Sequence, residues 1–210
     1  MDNDNKDKVI QIIRDLGVID YVKPEDIPDI ALYMDQVTTF MDGQLADSKR
    51  SEDDKILTKT MINNYTKNNL LPPPLKKKYS KEHIYLLIYI YYLKNLLCIN
   101  DIQDILNPLT DMFYKNENAE TNLEEIYKGI VNMETQHSKY VTKDILMRYK
   151  DSKKAFASVS DPEQREFLEK FAYVSELSYD VYIKTTLIEK LIDGIFSKIP
   201  TNNKKEDEEK

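Results

Sequence analysis

Apolar residues recur along this chain at intervals of three and four positions, not at every second position. Because a helix turns once in about 3.6 residues, this spacing predicts amphipathic helices and not half-buried strands. The eight prolines lie at or near the ends of the periodic segments, where helix boundaries are expected. The predicted fold class is therefore all-α, with helices at residues 6–16, 28–45, 58–69, 80–98, 101–107, 121–137, 141–157 and 161–198.

The predicted helix at residues 80–98 is apolar almost all the way round. This pattern is typical of a helix at the centre of a bundle. The most apolar segment of the chain, residues 84–99, is sixteen residues long and contains Lys94 and Asn95. A membrane-spanning helix needs about twenty apolar residues, so we expect a buried core helix and no membrane partner.

The last predicted helix carries a seam of residues spaced alternately four and three apart, with two polar interruptions. Such a heptad seam packs along another helix. The pattern leaves two possibilities open, because the other helix can belong to a second copy of the chain or to the same chain. The seam consists of Phe167, Phe171, Val174, Ser178, Val181, Thr185, Ile188, Ile192 and Ile195.

A polar segment at residues 116–122 interrupts the periodic pattern and is the predicted domain boundary. Before it, we expect an N-terminal helix and arm at residues 1–26 and a helical domain at residues 27–115. After it, residues 116–199 should form a helical region for dimerisation or for response to a signal. Residues 200–210 should be a disordered charged tail, because they are too polar to bury a core.

The four glycines lie far apart, which excludes a glycine-rich phosphate loop and a dinucleotide-binding fingerprint. Cys98 is the single cysteine, so an intramolecular disulfide cannot form, as expected for a reducing cytoplasm. The first residues carry no basic segment followed by an apolar one, so no secretory signal is predicted. We expect a soluble cytoplasmic protein.

Catalytic chemistry has few candidates in this sequence. Glu134 and His137 have the spacing of half a di-iron motif, and the second half is missing. The other histidine, His83, lies in the first turn of a predicted helix near a run of lysines, where we expect it beside a phosphate or elsewhere at the surface, and not as a catalyst. Cys98 lies in the apolar segment, away from a base. We therefore predict no enzyme, no catalytic residue, no metal ligand and no cofactor.

The formal net charge of −7, from 37 acidic and 30 basic residues, by itself argues against nucleic acid as a partner. The charge is unevenly distributed: residues 1–56 carry −7, residues 57–81 carry +6 and residues 82–210 carry −6. The middle segment contains six lysines and no acidic residue. Such a segment is suited to phosphate contacts, because each lysine placed at a phosphate releases a condensed counterion.

On a helix over residues 58–69, one side is apolar and contains Ile62 and Tyr65. The opposite side is positive and hydrogen-bonding, and it consists of Thr60, Asn63 and Lys67, flanked by Lys59 and Asn64. In a DNA major groove, Asn pairs with adenine, Lys with guanine or phosphate, and Thr with either base edge. A solvated face that is rich in Lys and Asn because of an A/T-biased gene remains the open alternative.

Three landmarks within residues 55–109 resemble those of the MerR-type winged helix-turn-helix regulators. The string LLPP at residues 70–73 resembles the end of that family's recognition-helix region, and YSKE at residues 79–82 resembles the start of its next helix. Residues 99–106 resemble the segment that follows. Together with LYMDQVTTFM at residues 32–41, the region also resembles an uncharacterised bacterial family of unknown function.

The resemblance implies a helix-turn-helix domain at residues 27–115 with a reduced wing. The segment PPPLKKK is shorter than the hairpin of MerR-type wings and lacks their Gly-Tyr-Arg element. The arginines that commonly reach the DNA backbone in that family are lysines or absent here. Lysine lacks the bidentate fork of arginine, so we expect weaker sequence readout. A C-terminal cysteine cluster, as in metal-sensing members, is also absent from the sequence.

We therefore expect a transcriptional regulator that binds double-stranded DNA, dimerises through its C-terminal helices and is associated with the nucleoid when bound. The alternative is a helical interaction module that keeps the fold and uses its lysines on an acidic protein surface. The predicted base-facing residues are Thr60, Asn63, Asn64 and Lys67. The predicted phosphate contacts are Lys59, Lys76, Lys77, Lys78 and Lys81.

Overall fold

The computed structural model describes residues 8–13, 22–51 and 53–201, and this part of the chain is mostly helical, with one two-stranded sheet. The all-α prediction is confirmed at this level. The long helices are α1 Met34–Gln44, α2 Lys59–Lys67, α3 Lys81–Leu93, α4 Ile99–Phe113, α5 Leu123–Ala155 and α6 Pro162–Gly194. Strands β1 Leu32–Tyr33 and β2 Lys78–Tyr79 form the sheet, and short 3-10 helices lie at Pro24–Asp26, Ala46–Ser48 and Phe196–Lys198.

The ends of the chain are described only in part. Of the helix predicted at residues 6–16, residues 8–13 are helical and the remainder lies outside the described residues. Most of the tail predicted at residues 200–210 lies outside them as well. Within the described ranges, no helix combines the length and the apolar composition needed to cross a membrane.

The chain divides into two compact units. The larger unit consists of Asp20–Val131 and Ile188–Lys210, and the smaller unit consists of Met1–Ile19 and Asn132–Leu187. The helices α5 and α6 each run from one unit into the other. The polar segment at residues 116–122, where the sequence predicts a domain boundary, lies inside the larger unit.

The core of the larger unit forms around α3, as the all-round apolar pattern predicts. Leu86, Leu87 and Ile88 of α3 are fully buried. Met41 of α1 and Ile62 of α2 belong to the same cluster of buried residues. Burial of each such side chain contributes roughly 1.5–3 kcal/mol to folding, so this cluster holds the first four helices together.

The predicted helix end at Pro108 is wrong, because α4 continues through Pro108 to Phe113. A proline inside a helix removes one backbone hydrogen bond and costs about 3 kcal/mol. The apolar stripe of α4, however, continues on both sides of the proline. Ile102 and Leu106 before it are buried, and Leu109 after it packs on the core. Burial of the whole stripe therefore favours the longer helix.

The predicted break between residues 137 and 141 is also wrong, because α5 is one continuous helix. The polar side chains at this point bond within the helix. The hydroxyl of Ser138 donates to the Thr135 carbonyl at 2.8 Å, and the hydroxyl of Thr142 donates to the Ser138 carbonyl at 3.0 Å. Such bonds satisfy the hydroxyls without ending the helix.

The end of α3 also differs from the prediction. The helix ends at Leu93 instead of continuing to residue 98. Cys98 is therefore not part of the apolar helix, and it lies exposed at the N-cap of α4.

In the smaller unit, the second half of α5 packs antiparallel on the first half of α6. Arg148 of α5 lies 2.6 Å from Asp144 of its own helix, and 3.5 Å from both Glu176 and Asp180 of α6. The hydroxyl of Tyr173 also donates to the Ile145 carbonyl at 3.2 Å. These contacts leave the first part of the heptad seam uncovered, with exposures of 52–66% at Phe167, Phe171, Val174 and Val181.

Candidate functional site

The helix α2 begins at Thr58, whose hydroxyl oxygen accepts a hydrogen bond from the Met61 N–H at 3.2 Å. This N-cap satisfies one of the backbone donors that a helix start leaves unpaired. Ile62 and Tyr65 are buried, so the apolar side of α2 packs on the core as its spacing predicts. The opposite side is thereby turned towards solvent.

The helix α2 ends in a Schellman motif. Asn69 has a φ of 54°, the Leu70 N–H donates to the Tyr65 carbonyl at 2.9 Å, and the Asn69 N–H donates to the Thr66 carbonyl at 3.2 Å. Asparagine is among the few residues other than glycine that enter this left-handed conformation readily. The sequence Asn-Asn-Leu-Leu therefore stops the helix and turns the buried Leu70 into the core.

The exposed side of α2 carries the four residues predicted to face bases, and the structure brings them together. Thr60, Asn63, Asn64 and Lys67 are all exposed. Among the described residues, none of the four side chains has a hydrogen-bond or ion-pair partner. This face is therefore free to contact another molecule with donors, acceptors and one positive charge.

A tight turn at residues 75–78, which we name the lysine turn, presents two adjacent cations. Leu75 and Lys78 form a β-bridge, and the Lys78 N–H donates to the Leu75 carbonyl at 2.9 Å. Between them, Lys76 and Lys77 have φ values of 51° and 63°. Two successive positive φ values are typical of a type I′ hairpin turn, in which Asn-Gly is the preferred pair. Lysines in this conformation cost roughly 1–2 kcal/mol each, and both are exposed.

The small sheet attaches the lysine turn to the segment before α1. Leu32 pairs with Tyr79 and Tyr33 with Lys78, and the ammonium of Lys78 lies 5.0 Å from the centre of the Tyr33 ring. The helix predicted at residues 28–45 begins only at Met34, because the two residues before it are in β1. The sequence pattern does not single out Tyr33, since strands of two residues are too short to produce a periodic signal.

Two of the lysines predicted to contact phosphates are paired with carboxylates. Lys59 forms an ion pair with Asp35, although its side chain remains 60% exposed. Lys81 is only 19% exposed and lies 2.9 Å from Glu124 and 3.7 Å from Asp29. Its hydrogen bond to Glu124 raises the pKa of Lys81. The structure therefore does not place Lys81 with the exposed lysines of the lysine turn.

The predicted surface position of His83 is wrong, because this side chain is 1% exposed. Its ring lies edge-on between those of Tyr79 and Tyr114, at centroid distances of 5.4 and 5.3 Å. The Ser80 N–H donates to Nδ1 at 2.9 Å, as in a capping box, so His83 reaches back to the helix start and not outwards. Burial and the nearby charge of Lys115 lower the pKa of His83 to about 4.

Residues 22–130, just over half of the chain, match a family model described as Domain of unknown function (DUF1836). The chain belongs to the DUF1836 family. Searches of curated proteins and of solved structures found no match to it. The resemblance to an uncharacterised family, stated from the sequence, is confirmed at this level.

The DUF1836 match coincides closely with the first segment of the larger unit, Asp20–Val131. It therefore includes α1 to α4, the lysine turn and the exposed face of α2. The first half of α6, with its uncovered seam, lies beyond the match. The description of the family assigns no activity.

Proposed function

We propose that this DUF1836 protein is a transcriptional regulator that binds double-stranded DNA through a MerR-like helix-turn-helix domain. In this proposal, α1 and α2 are the two helices of the motif and the lysine turn is a reduced wing. The helix α2 enters the major groove, where Thr60, Asn63, Asn64 and Lys67 meet base edges. Lys76, Lys77 and Lys78 contact the phosphates beside it.

The observation that carries the proposal is the exposed surface of residues 57–81, which contain six lysines and no acidic residue. The four polar side chains of α2 lack partners among the described residues, and the lysine turn holds two cations at its tip. Lys59 can exchange Asp35 for a phosphate, since exposed ion pairs contribute only about 0–1 kcal/mol. Lys81 is assigned to folding, because Asp29 and Glu124 hold it.

The proposal includes a homodimer formed through α6. The four apolar seam residues of the smaller unit are exposed, and the rings of Phe167 and Phe171 stack at 6.1 Å. Heptad spacing suits this stripe to the same stripe of a second copy. A symmetric dimer would place two copies of α2 on half-sites separated by about one helical turn of DNA, roughly 34 Å, or a multiple of it.

Binding is tested by fluorescence anisotropy, with a duplex selected from a random DNA pool and with a scrambled duplex, over a series of salt concentrations. We expect affinity to fall steeply as salt rises. The variant Lys76→Ala/Lys77→Ala/Lys78→Ala should weaken binding to both duplexes. It should also reduce the slope of log K against log salt by about 3, because each phosphate that is no longer neutralised lowers the slope by roughly 0.9.

The matched control is Lys139→Ala/Lys143→Ala/Lys150→Ala, which removes three exposed lysines of α5 and should change neither affinity nor slope. Asn63→Ala should reduce the preference for the selected duplex by about tenfold, as removal of one base-specific hydrogen-bonding side chain does. If no duplex binds at low salt, the proposal is wrong. The interaction module, in which the same lysines meet an acidic protein surface, then takes its place.

A further inference from the structure

The small sheet has a buried face and an exposed face, and three side chains form a row across the exposed face. Tyr33 of β1 pairs with Lys78 of β2, and Lys78 forms the β-bridge with Leu75. Directly opposed residues of an antiparallel pair lie on the same face of a sheet, and the residues next to them in sequence lie on the other face. Leu32 and Tyr79, the next pair, are accordingly buried. We name Tyr33, Lys78 and Leu75 the outer row.

Leu75 is an apolar side chain at one end of the outer row, and it is 68% exposed. At the other end, the ring of Tyr33 has the Lys78 ammonium 5.0 Å from its centre. The backbone of Leu75 is held on both sides, because three prolines at residues 72–74 precede it and its carbonyl accepts from the Lys78 N–H at 2.9 Å. A side chain on such a preorganised backbone can be buried by a partner with little loss of conformational entropy.

The outer row continues into the cationic tip of the lysine turn. Lys76 and Lys77 lie between Leu75 and Lys78 and are exposed, and residues 57–81 contain no acidic residue. A leucine next to three cations is complementary to a partner in which phosphates border an apolar interior. Duplex DNA has this arrangement, because stacked base pairs lie between two phosphate backbones. A membrane surface has it too, but binding there increases with the apolar area that is buried, and Leu75 is a single side chain.

We propose that Leu75 is inserted between two base pairs from the minor groove and bends the DNA. The inference rests on the proposed function, because the groove beside an α2 in the major groove is the minor groove. Leucine is among the side chains that DNA-bending proteins insert between base steps, which kinks the duplex by roughly 20–90°. Lys76 and Lys77 neutralise the phosphates that border the groove. Pyrimidine–purine steps unstack most readily, so Leu75 adds a preference for such a step.

The bend is measured by fluorescence resonance energy transfer between dyes at the two ends of the selected duplex. Binding of the full-length parent should raise the transfer efficiency, and Leu75→Ser, which keeps every lysine, should produce a clearly smaller rise. Affinity should fall about tenfold, whereas the slope of log K against log salt should stay that of the parent. Leu75→Met should retain the bend, because methionine is also inserted between base steps.

Leu96→Ser is the matched control, since Leu96 is 50% exposed and belongs to the same unit. It follows the far end of α3, which begins just after the lysine turn and has 13 residues, so the helix is about 20 Å long. The control should change neither bend nor affinity. Leu75→Ser and Leu96→Ser should both keep the Tm of the parent, because substitutions at exposed positions have small effects on stability.

A second readout is the sequence of duplexes selected from a random DNA pool. Pools selected by the parent should contain a pyrimidine–purine step at a fixed distance from the bases read by α2, and pools selected by Leu75→Ser should lack it. A straight duplex in the parent complex, or equal bends for parent and Leu75→Ser, would overturn the insertion of Leu75 and leave the DNA binding in place. A parent that binds no duplex would overturn both proposals. Binding to vesicles of anionic phospholipid that is lost in Leu75→Ser, with binding to the duplex unchanged, would overturn the insertion in favour of a membrane.

Discussion

At the scale of single residues, the burial of His83 makes the stability of the protein depend on pH. Burial and the charge of Lys115 lower its pKa from 6.5 to about 4 in the folded chain. The unfolded chain therefore binds the proton more readily, and stability is lost as the pH falls from about 6.5 to about 4. The loss should be about 2–3 kcal/mol, measured as the change in unfolding free energy in urea between pH 7 and pH 4.5.

His83→Gln separates this effect from the titration of carboxylates, which is common to both proteins. Glutamine keeps an acceptor for the Ser80 N–H but carries no titrating group in this range. Its stability should therefore fall less between pH 7 and pH 4.5 than that of the parent. His137→Gln, at an exposed position of α5, should behave like the parent. Equal losses for parent and His83→Gln would contradict the prediction.

The geometry of the lysine turn predicts that one double substitution in it will raise the stability of the protein and weaken its binding to DNA. Lys76→Asn/Lys77→Gly places the preferred pair in a type I′ turn, and should raise the unfolding free energy by about 1–2 kcal/mol in urea. The same change removes two cations, and should reduce the salt slope of DNA binding by about 2. A less stable variant would contradict the turn geometry. A more stable variant with unchanged binding would exclude the turn from the DNA surface.

At the scale of elements, α2 carries the same residue type in two different roles. Thr58 caps the helix, and Thr58→Ala should cost about 1 kcal/mol of unfolding free energy, because the Met61 N–H loses its acceptor. Thr60 lies on the exposed face, and Thr60→Ala should change stability by less than about 0.5 kcal/mol. Urea denaturation compares the two directly. Equal losses of unfolding free energy in the two variants would contradict the assignment of Thr58 to the helix cap and of Thr60 to the exposed face.

Both faces of α2 could be predicted from the sequence, because they depend on spacing within a few turns of one helix. The pairing of Lys81 could not, since Asp29 and Glu124 are distant along the chain and a count of charges treats all lysines alike. The pairing of β1 with β2 could not be predicted from the sequence either, because these two short strands are also distant along the chain. The exposed face of α2 could thus be predicted from local spacing, whereas the ion pairs that remove Lys81 from the candidate surface are tertiary contacts.

The ends of the helices were the least predictable part of the fold. Rules for proline and for polar segments describe a local cost, whereas the observed ends depend on what the helix buries. The helix α4 passes Pro108 because its apolar stripe continues on the core beyond it. The burial of His83 could not be predicted for the same reason. It follows a run of lysines in the sequence, but in the structure two tyrosine rings and the start of its own helix cover it.

At the scale of the whole molecule, α6 uses its heptad seam in two ways. In the larger unit, Ile192 is 2% exposed and Ile188 packs on the core, whereas Ile195, just beyond the end of α6, is 55% exposed. In the smaller unit, Phe167, Phe171, Val174 and Val181 remain exposed. The two possibilities left open by the pattern therefore concern different parts of one helix. Only the exposed part is available for a second copy.

Dimerisation through this exposed part predicts that one charge within it separates the two copies. Phe171→Glu should convert a dimer into a monomer in sedimentation velocity, because a carboxylate in a heptad seam is buried without a partner.

Tyr179→Glu is the matched control for Phe171→Glu. Tyr179 is 65% exposed and Phe171 is 60% exposed, and Tyr179 lies about 80° further round the helix. Both variants should keep the parent's circular dichroism, as neither side chain packs in the core. A parent that sediments as a monomer, or a Phe171→Glu variant that remains a dimer, would contradict the assignment. If the dimer is also the DNA-binding species, Phe171→Glu should weaken binding to the selected duplex while leaving every residue of α2 in place.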